Sequence, residues 1–199
     1  MELTYLFEAF WIIAFIIAFW HLTKTKSLAD AMIFMIPALV WSYFVEFLGM
    51  NFWKIYEYPD SYVLGLFGVP IAIACGWATI MHFGYYFTTH YIHVTKRMNV
   101  DLDSALISTA IDFIILEPFA FIFKFWVWKQ NDFWFGAPLF NFIGWFLIIT
   151  LYLITYQYIS SKYKDKKQQA IYFTIALTIA FIILQIIGWA YLTIFGYWF

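Results

Sequence analysis

The sequence predicts an all-α polytopic bundle of about six membrane-spanning helices, and three observations predict it. Hydrophobic residues make up 65% of the chain and charged residues only 12%, against roughly 45–50% and about 25% in a soluble domain. Six apolar stretches reach the ~20 residues that a spanning helix needs: about 4–22, 28–50, 63–89, 104–128, 138–159 and 170–198. The basic residues crowd into alternate loops, as they do in multi-pass membrane proteins.

Taken in order, the first stretch has no Lys or Arg before Lys24 and no small-residue cleavage site, so it reads as a retained span and not as a signal peptide. The loop after it carries Lys24 and Lys26. The loop after the third span carries Lys96 and Arg97, and the loop after the fifth carries Lys162, Lys164, Lys166 and Lys167. These three loops hold eight of the 11 basic residues. The positive-inside rule therefore predicts that they face the cytoplasm and that both termini lie outside. No internal repeat, linker or low-complexity stretch stands out, so 1–199 reads as one integral domain of the cell membrane.

The two remaining long loops, 50–70 and 128–145, mix Gly, Pro and aromatic residues. They suit either a turn dipping back toward the bilayer or an aromatic belt at the outer interface. A net charge of −1 gives no reason to expect nucleic acid as a partner. The single cysteine, Cys75, excludes an intramolecular disulfide and reads as a small apolar filler.

Acids inside apolar spans carry the most information, because a carboxylate at mid-bilayer costs several kcal/mol and usually faces a cavity or a partner. Asp112 and Glu117 lie within the fourth span, and Pro118 follows directly. Proline removes a backbone hydrogen bond, which predicts a kink there. Five residues turn an ideal helix by about 140°, so the two acids need that kink, or two separate roles, to serve one pocket. Glu46, near the outer end of the second span, suits either a site or a snorkelling acid at the interface. Glu8 suits snorkelling. Asn141 enters the fifth span from the outer side and can both donate and accept; a helix-terminal turn residue is the plainer reading. Lys124, seven residues after Glu117, is predicted to snorkel outward.

Several chemistries fall away. Four histidines are too few for the clusters of a membrane di-iron enzyme; His90 and His93 read as a solvated helix end and His82 as a satisfied helix histidine. Residues 170–199 contain no lysine for a retinal Schiff base. Asp101 and Asp103 alone approach an Asp-rich diphosphate motif, and they lie on the cytoplasmic side.

The run 112–145 contains Asp112, Glu117-Pro118, Trp126 and Trp128, Gly136 and Pro138, Asn141-Phe142 and Gly144-Trp145. In order and spacing it resembles the signature of the carotenoid hydratase family, integral membrane proteins of carotenoid biosynthesis that include the bisanhydrobacterioruberin hydratase type. Glu46 with Gly49, Tyr56 with Tyr58, and Phe67-Gly68-Val69-Pro70 resemble that family's Glu-x-x-Gly, Tyr-x-Tyr and Gly-Val-Pro elements. Two departures stand out. Phe52-Trp53-Lys54 replaces a Phe-Gly step, and Lys124-Phe125 replaces a glycine before Trp-x-Trp.

The resemblance implies a hydro-lyase that adds water to the terminal C=C bond of an acyclic carotenoid. Such a reaction needs a neutral carboxyl group, and desolvation in an apolar site favours that form of a carboxyl. It also needs aromatic faces for the tertiary carbocation, worth roughly 0.5–2 kcal/mol each, and a polar group to hold the water. On this reading Asp112 or Glu117 donates the proton, with Glu117 preferred because it lies nearer mid-bilayer and beside Pro118; Glu46 and Asn141 place the water, and Tyr56, Tyr58, Trp126, Trp128 and Trp145 bind the substrate. Neither a cofactor nor a metal is expected. The partners expected are the carotenoid, the lipid bilayer and other carotenoid-biosynthesis enzymes. Two other readings remain open: an isomerase or cyclase starting from the same protonation, and a non-catalytic transporter or pigment-binding protein.

Overall fold

Apolar runs of this length fold as helices because, in hydrocarbon, backbone N–H and C=O groups must be satisfied inside the segment. The computed structural model describes residues 2–92, 99–129 and 133–195. Its helices are α1 (Glu2–Thr25), α2 (Leu28–Phe47), α3 (Ile71–Phe87), α4 (Val100–Ile111), α5 (Glu117–Phe123), α6 (Leu139–Lys162) and α7 (Lys166–Phe195). Ser27 caps α2 through the Asp30 N–H at 3.1 Å, and Asn99 caps α4 through the Asp101 N–H at 3.1 Å. Both side chains accept a donor that the first turn leaves orphaned. Single π turns follow α2 (Leu48–Phe52) and α3 (Thr88–Ile92), and a third joins α4 to α5 (Asp112–Leu116).

Among the described residues, five helical stretches are long and apolar enough to cross a membrane: Leu3–Thr25, Leu28–Phe52, Val100–Phe123, Leu139–Lys162 and Lys166–Tyr191. The predicted third span needs correction. Residues from 65 onward do not start a helix; they form a hairpin of β2 (Gly65–Leu66) and β3 (Val69–Pro70), and helix begins only at Ile71. The resulting 17-residue α3 is the centre of the bundle, packed on by α1, α2 and α4. The fourth predicted span also ends early, at Phe123. Lys124 turns left-handed (φ 57°) and stops the helix.

A repeat that the sequence reading did not see organises the fold. Phe67-Gly68-Val69-Pro70 leads after five residues to Gly76-Trp77, and Phe135-Gly136-Ala137-Pro138 leads after five to Gly144-Trp145. The backbones agree. Phe67 and Phe135 have φ of 50° and 48°, Gly68 and Gly136 of 82° and 85°, and Lys54 and Lys124 of 56° and 57°. Leu66 pairs with Val69, as Trp134 bridges to Ala137. The two halves, α2 to α3 and α4 to α6, touch through their equivalent parts. Strand β1 (Tyr56–Glu57) runs antiparallel to β4 (Val127–Trp128), with Tyr56 opposite Trp128 and Glu57 opposite Val127. Such a self-complementary contact is what a two-fold axis produces. Because α2 and α5 both run toward this shared ribbon, the repeats are parallel, with the axis along the bundle.

Helices α1 and α7 flank the repeats, α1 against α2 and α3, and α7 against α2 and α6. The start of α1 is tied to the segment between β1 and β2. Thr4 and Ser61 hydroxyls meet at 3.0 Å, and the Glu8 carboxylate accepts the Val63 and Leu64 N–H groups at 3.0 and 2.9 Å. Glu8 is 4% exposed, so it does not snorkel as expected; the charge goes to backbone donors.

Candidate active site

Side chains alternate across a strand, and this period gives the Tyr-x-Tyr and Trp-x-Trp spacings their meaning. Tyr56, Tyr58, Trp126 and Trp128 all line the cavity beneath the β1–β4 ribbon. On its other face Glu57 and Lys129 form an ion pair at 2.8 Å. Both long loops thus fold inward as a cap and amount to more than a belt of interfacial aromatics.

Each half of the repeat offers one buried glutamate to its own aromatic pair. In the first half, Glu46 stands on the last turn of α2 and is 7% exposed. Its Oε2 accepts the Tyr56 hydroxyl at 2.7 Å and the Tyr58 hydroxyl, while its Oε1 accepts Trp77 Nε1 at 2.7 Å. Gly49 permits this: a Cβ there would collide with the Tyr56 phenol. Burial, and then the Glu46 carboxyl group, push both phenols well above the usual tyrosine range, so they remain donors. Glu46 is therefore buried in the protein and is not an interfacial acid.

In the second half, Glu117 Oε2 accepts Trp126 Nε1 at 3.1 Å and Trp128 Nε1 at 2.9 Å. Asn141 Nδ2 donates to Glu117 Oε1 and to Asp112 Oδ2, each at 3.0 Å. One amide thus bridges two carboxyl groups. The predicted kink is replaced by a π turn. Residues i and i+5 lie on one face of a π turn, and the Glu117 N–H bonds the Asp112 carbonyl, which brings the two acids together. Pro118 is at the start of α5, where its missing N–H and bulky ring favour a widened turn over a regular one.

All nine predicted site residues line a single cavity of about 140 Å³: Glu46, Tyr56, Tyr58, Asp112, Glu117, Trp126, Trp128, Asn141 and Trp145. Apolar walls come from Phe7 and Trp11 of α1, Leu116, and Ile148 of α6. Asp112 and Glu117 are 1% and 2% exposed. The sequence reading missed Trp77, which donates to Glu46 and stacks on Trp145. Its signal was present in the doubled Gly-Trp step.

Lys124 does not continue the helix above Glu117; its Nζ lies 4.8 Å from the centre of the Phe121 ring. His82 Nε2 meets His21 Nδ1 at 3.1 Å, with His82 Nδ1 buried and unpartnered among the described residues. His90 stacks on Tyr86, whereas His93, Lys96 and Arg97 lie outside the described residues.

The model of a family described as carotenoid biosynthesis protein matches residues 6–199. The chain belongs to the carotenoid biosynthesis protein family. No curated protein and no solved structure matches it. As a member of this family it is a membrane protein whose substrate context is carotenoid metabolism. Lys54 and Lys124, which lie within the two departures noted in the sequence, both hold a left-handed backbone, the conformation that glycine adopts without strain.

Proposed function

We propose that this carotenoid biosynthesis protein is a hydro-lyase of the cell membrane that hydrates a terminal C=C bond of an acyclic carotenoid. The observation that carries the reading is the Asn141 bridge between two buried carboxyl groups in a cavity walled by indoles. Carboxylates this close, inside low dielectric, repel unless a proton is shared between them. That proton is what an alkene requires.

The donor pattern supports a division of labour. Glu117 takes three N–H groups, which suits an anion. Asp112 takes one, from Asn141, and has room to carry the proton. In the first step the Asp112 O–H bond breaks, a C–H bond forms at the less substituted alkene carbon, and the π bond is lost. The tertiary cation then faces the Glu117 carboxylate and the indole walls. Glu46, with three of its roughly four acceptor sites occupied, uses the fourth to hold water. Water oxygen bonds the cationic carbon, its surplus proton passes to Glu46, and that proton returns to Asp112 before the next turnover. Water is added and nothing else is consumed.

Expression in a host that accumulates an acyclic carotenoid, followed by pigment analysis, tests this. Tertiary alcohols at the chain ends are the result expected. Cyclised or isomerised pigment, or unchanged pigment with folded protein present, would overturn it.

A further inference from the structure

The reaction cavity is too small for its substrate. A volume of about 140 Å³ compares with the roughly 150 Å³ cavity that takes up one benzene, so it accommodates the end of an isoprenoid and not a whole polyene. The remaining chain must lie elsewhere, against surface that continues from the cavity.

One other hollow meets that condition. A groove of about 420 Å³ runs between the π turn Leu48–Phe52 and the far part of α7, and Trp53 forms a wall of both this groove and the reaction cavity. Leu48, Phe52, Phe181, Ile182, Ile186 and Trp189 supply the rest of its apolar lining, and Gln185 adds one polar side chain whose Oε1 is buried without a partner among the described residues. Its rim is open to the bilayer: Phe52, Ile182 and Ile186 are 66%, 51% and 59% exposed. The Trp53 ring lies over Gly188 of α7, where a Cβ would stand in ordinary contact 3.4 Å from Trp53 Cη2.

We propose that this groove is a second substrate subsite, which seats the polyene chain while its terminal unit reaches past Trp53 into the reaction cavity. Only the identity of the ligand as a polyene rests on the hydration reading. A rigid, apolar, extended chain is the occupant that suits a groove with an apolar floor, an open bilayer side and a door into an acid site. Trp53 is then a positioning residue that sets how far the chain end enters.

The test uses full-length protein in detergent and two olefins with the same trisubstituted end: a long acyclic carotenoid and a two-isoprene-unit analogue. Ile182→Trp and Ile186→Trp fill the groove from exposed positions and leave the reaction cavity untouched. Both should lower bound carotenoid per folded protein and carotenoid hydration at least tenfold, with turnover of the short olefin unchanged. Wild-type binding and hydration of carotenoid by both variants would overturn the proposal. So would equal losses for the long and the short olefin. If wild-type protein binds carotenoid but hydrates neither olefin, the hydration reading fails while the groove is still judged, because loss of binding in the two variants supports it and retained binding overturns it.

Discussion

Trp77 and Trp145 stack face to face, with ring centres 3.6 Å apart and planes 12° from parallel, and each is the Gly-Trp tryptophan of its own repeat. The contact joins equivalent residues across the two-fold axis, yet the two differ in their work. Trp77 donates its N–H to Glu46, while the place that Asn141 occupies in the second repeat is held by apolar Ile73 in the first. Duplicated architecture thus holds two unlike acids.

Asp112→Asn keeps the shape of the bridge but removes the acidic proton. It is expected to cut hydroxylated product at least 100-fold, the lower range of general acid catalysis, with insertion and thermal stability near wild type. Glu117→Gln replaces an acceptor oxygen by an amide N–H group, so it should lose both stability and activity. Product per folded protein, read beside the melting temperature, distinguishes them. Near wild-type rates in both variants would exclude acid catalysis by this pair.

Trp77→Phe preserves the stack on Trp145 and deletes one donor to Glu46. Removing a hydrogen bond to a charged group costs about 1.5–3 kcal/mol, so a clear drop in melting temperature is expected, together with a slower water-capture step. Trp145→Phe, which lacks that donor role, should cost less in a parallel thermal scan.

Lys124→Gly and Lys54→Gly relieve a left-handed backbone that costs a non-glycine residue about 1–2 kcal/mol. Part of the gain is offset by the greater unfolded-state freedom of glycine, about 0.4–1 kcal/mol. A net stabilisation of about 0.5–1 kcal/mol with activity retained is expected. Loss of activity in a well-folded Lys124→Gly protein would assign the ammonium group a role beside Glu117.

Glu8→Ala releases the Val63 and Leu64 N–H groups and unties the segment between β1 and β2 from α1. The cost is expected to be about 1.5–3 kcal/mol. Limited proteolysis should then cut within 59–66 well before it cuts the helices; an unchanged cleavage pattern would contradict this role of the carboxylate.

Charge placement predicts the orientation. Tags at both termini should be accessible from outside the cell, and the 160–169 loop should be cytoplasmic. Contacts of Glu8 with the first loop, and of Trp53 with Gly188, place the start of α1 and the far part of α7 at the capped end of the bundle. A cytoplasmic tag at either terminus would refute the assignment.

Composition and the length of the apolar runs alone determined that this chain lives in lipid as a helical bundle, because hydrocarbon leaves an apolar run of this length little choice but helix. Burial cost alone marked Asp112 and Glu117, since an acid in an apolar span needs a reason to be there. Other features were written in the sequence but not legible from local rules. The doubled Phe-Gly-x-Pro and Gly-Trp steps acquire meaning only when β1 meets β4, a contact between Tyr56–Glu57 and Val127–Trp128, far apart in the chain. Helical geometry set Asp112 and Glu117 on different faces, and only the π turn reunited them. Nothing in the local sequence marked Lys54 and Lys124 as left-handed; their φ of 56° and 57° appears only in the folded chain. Tertiary structure decided these points because a hydrogen-bond register and a dihedral angle depend on what the neighbouring segment demands, and that neighbour lies far along the chain.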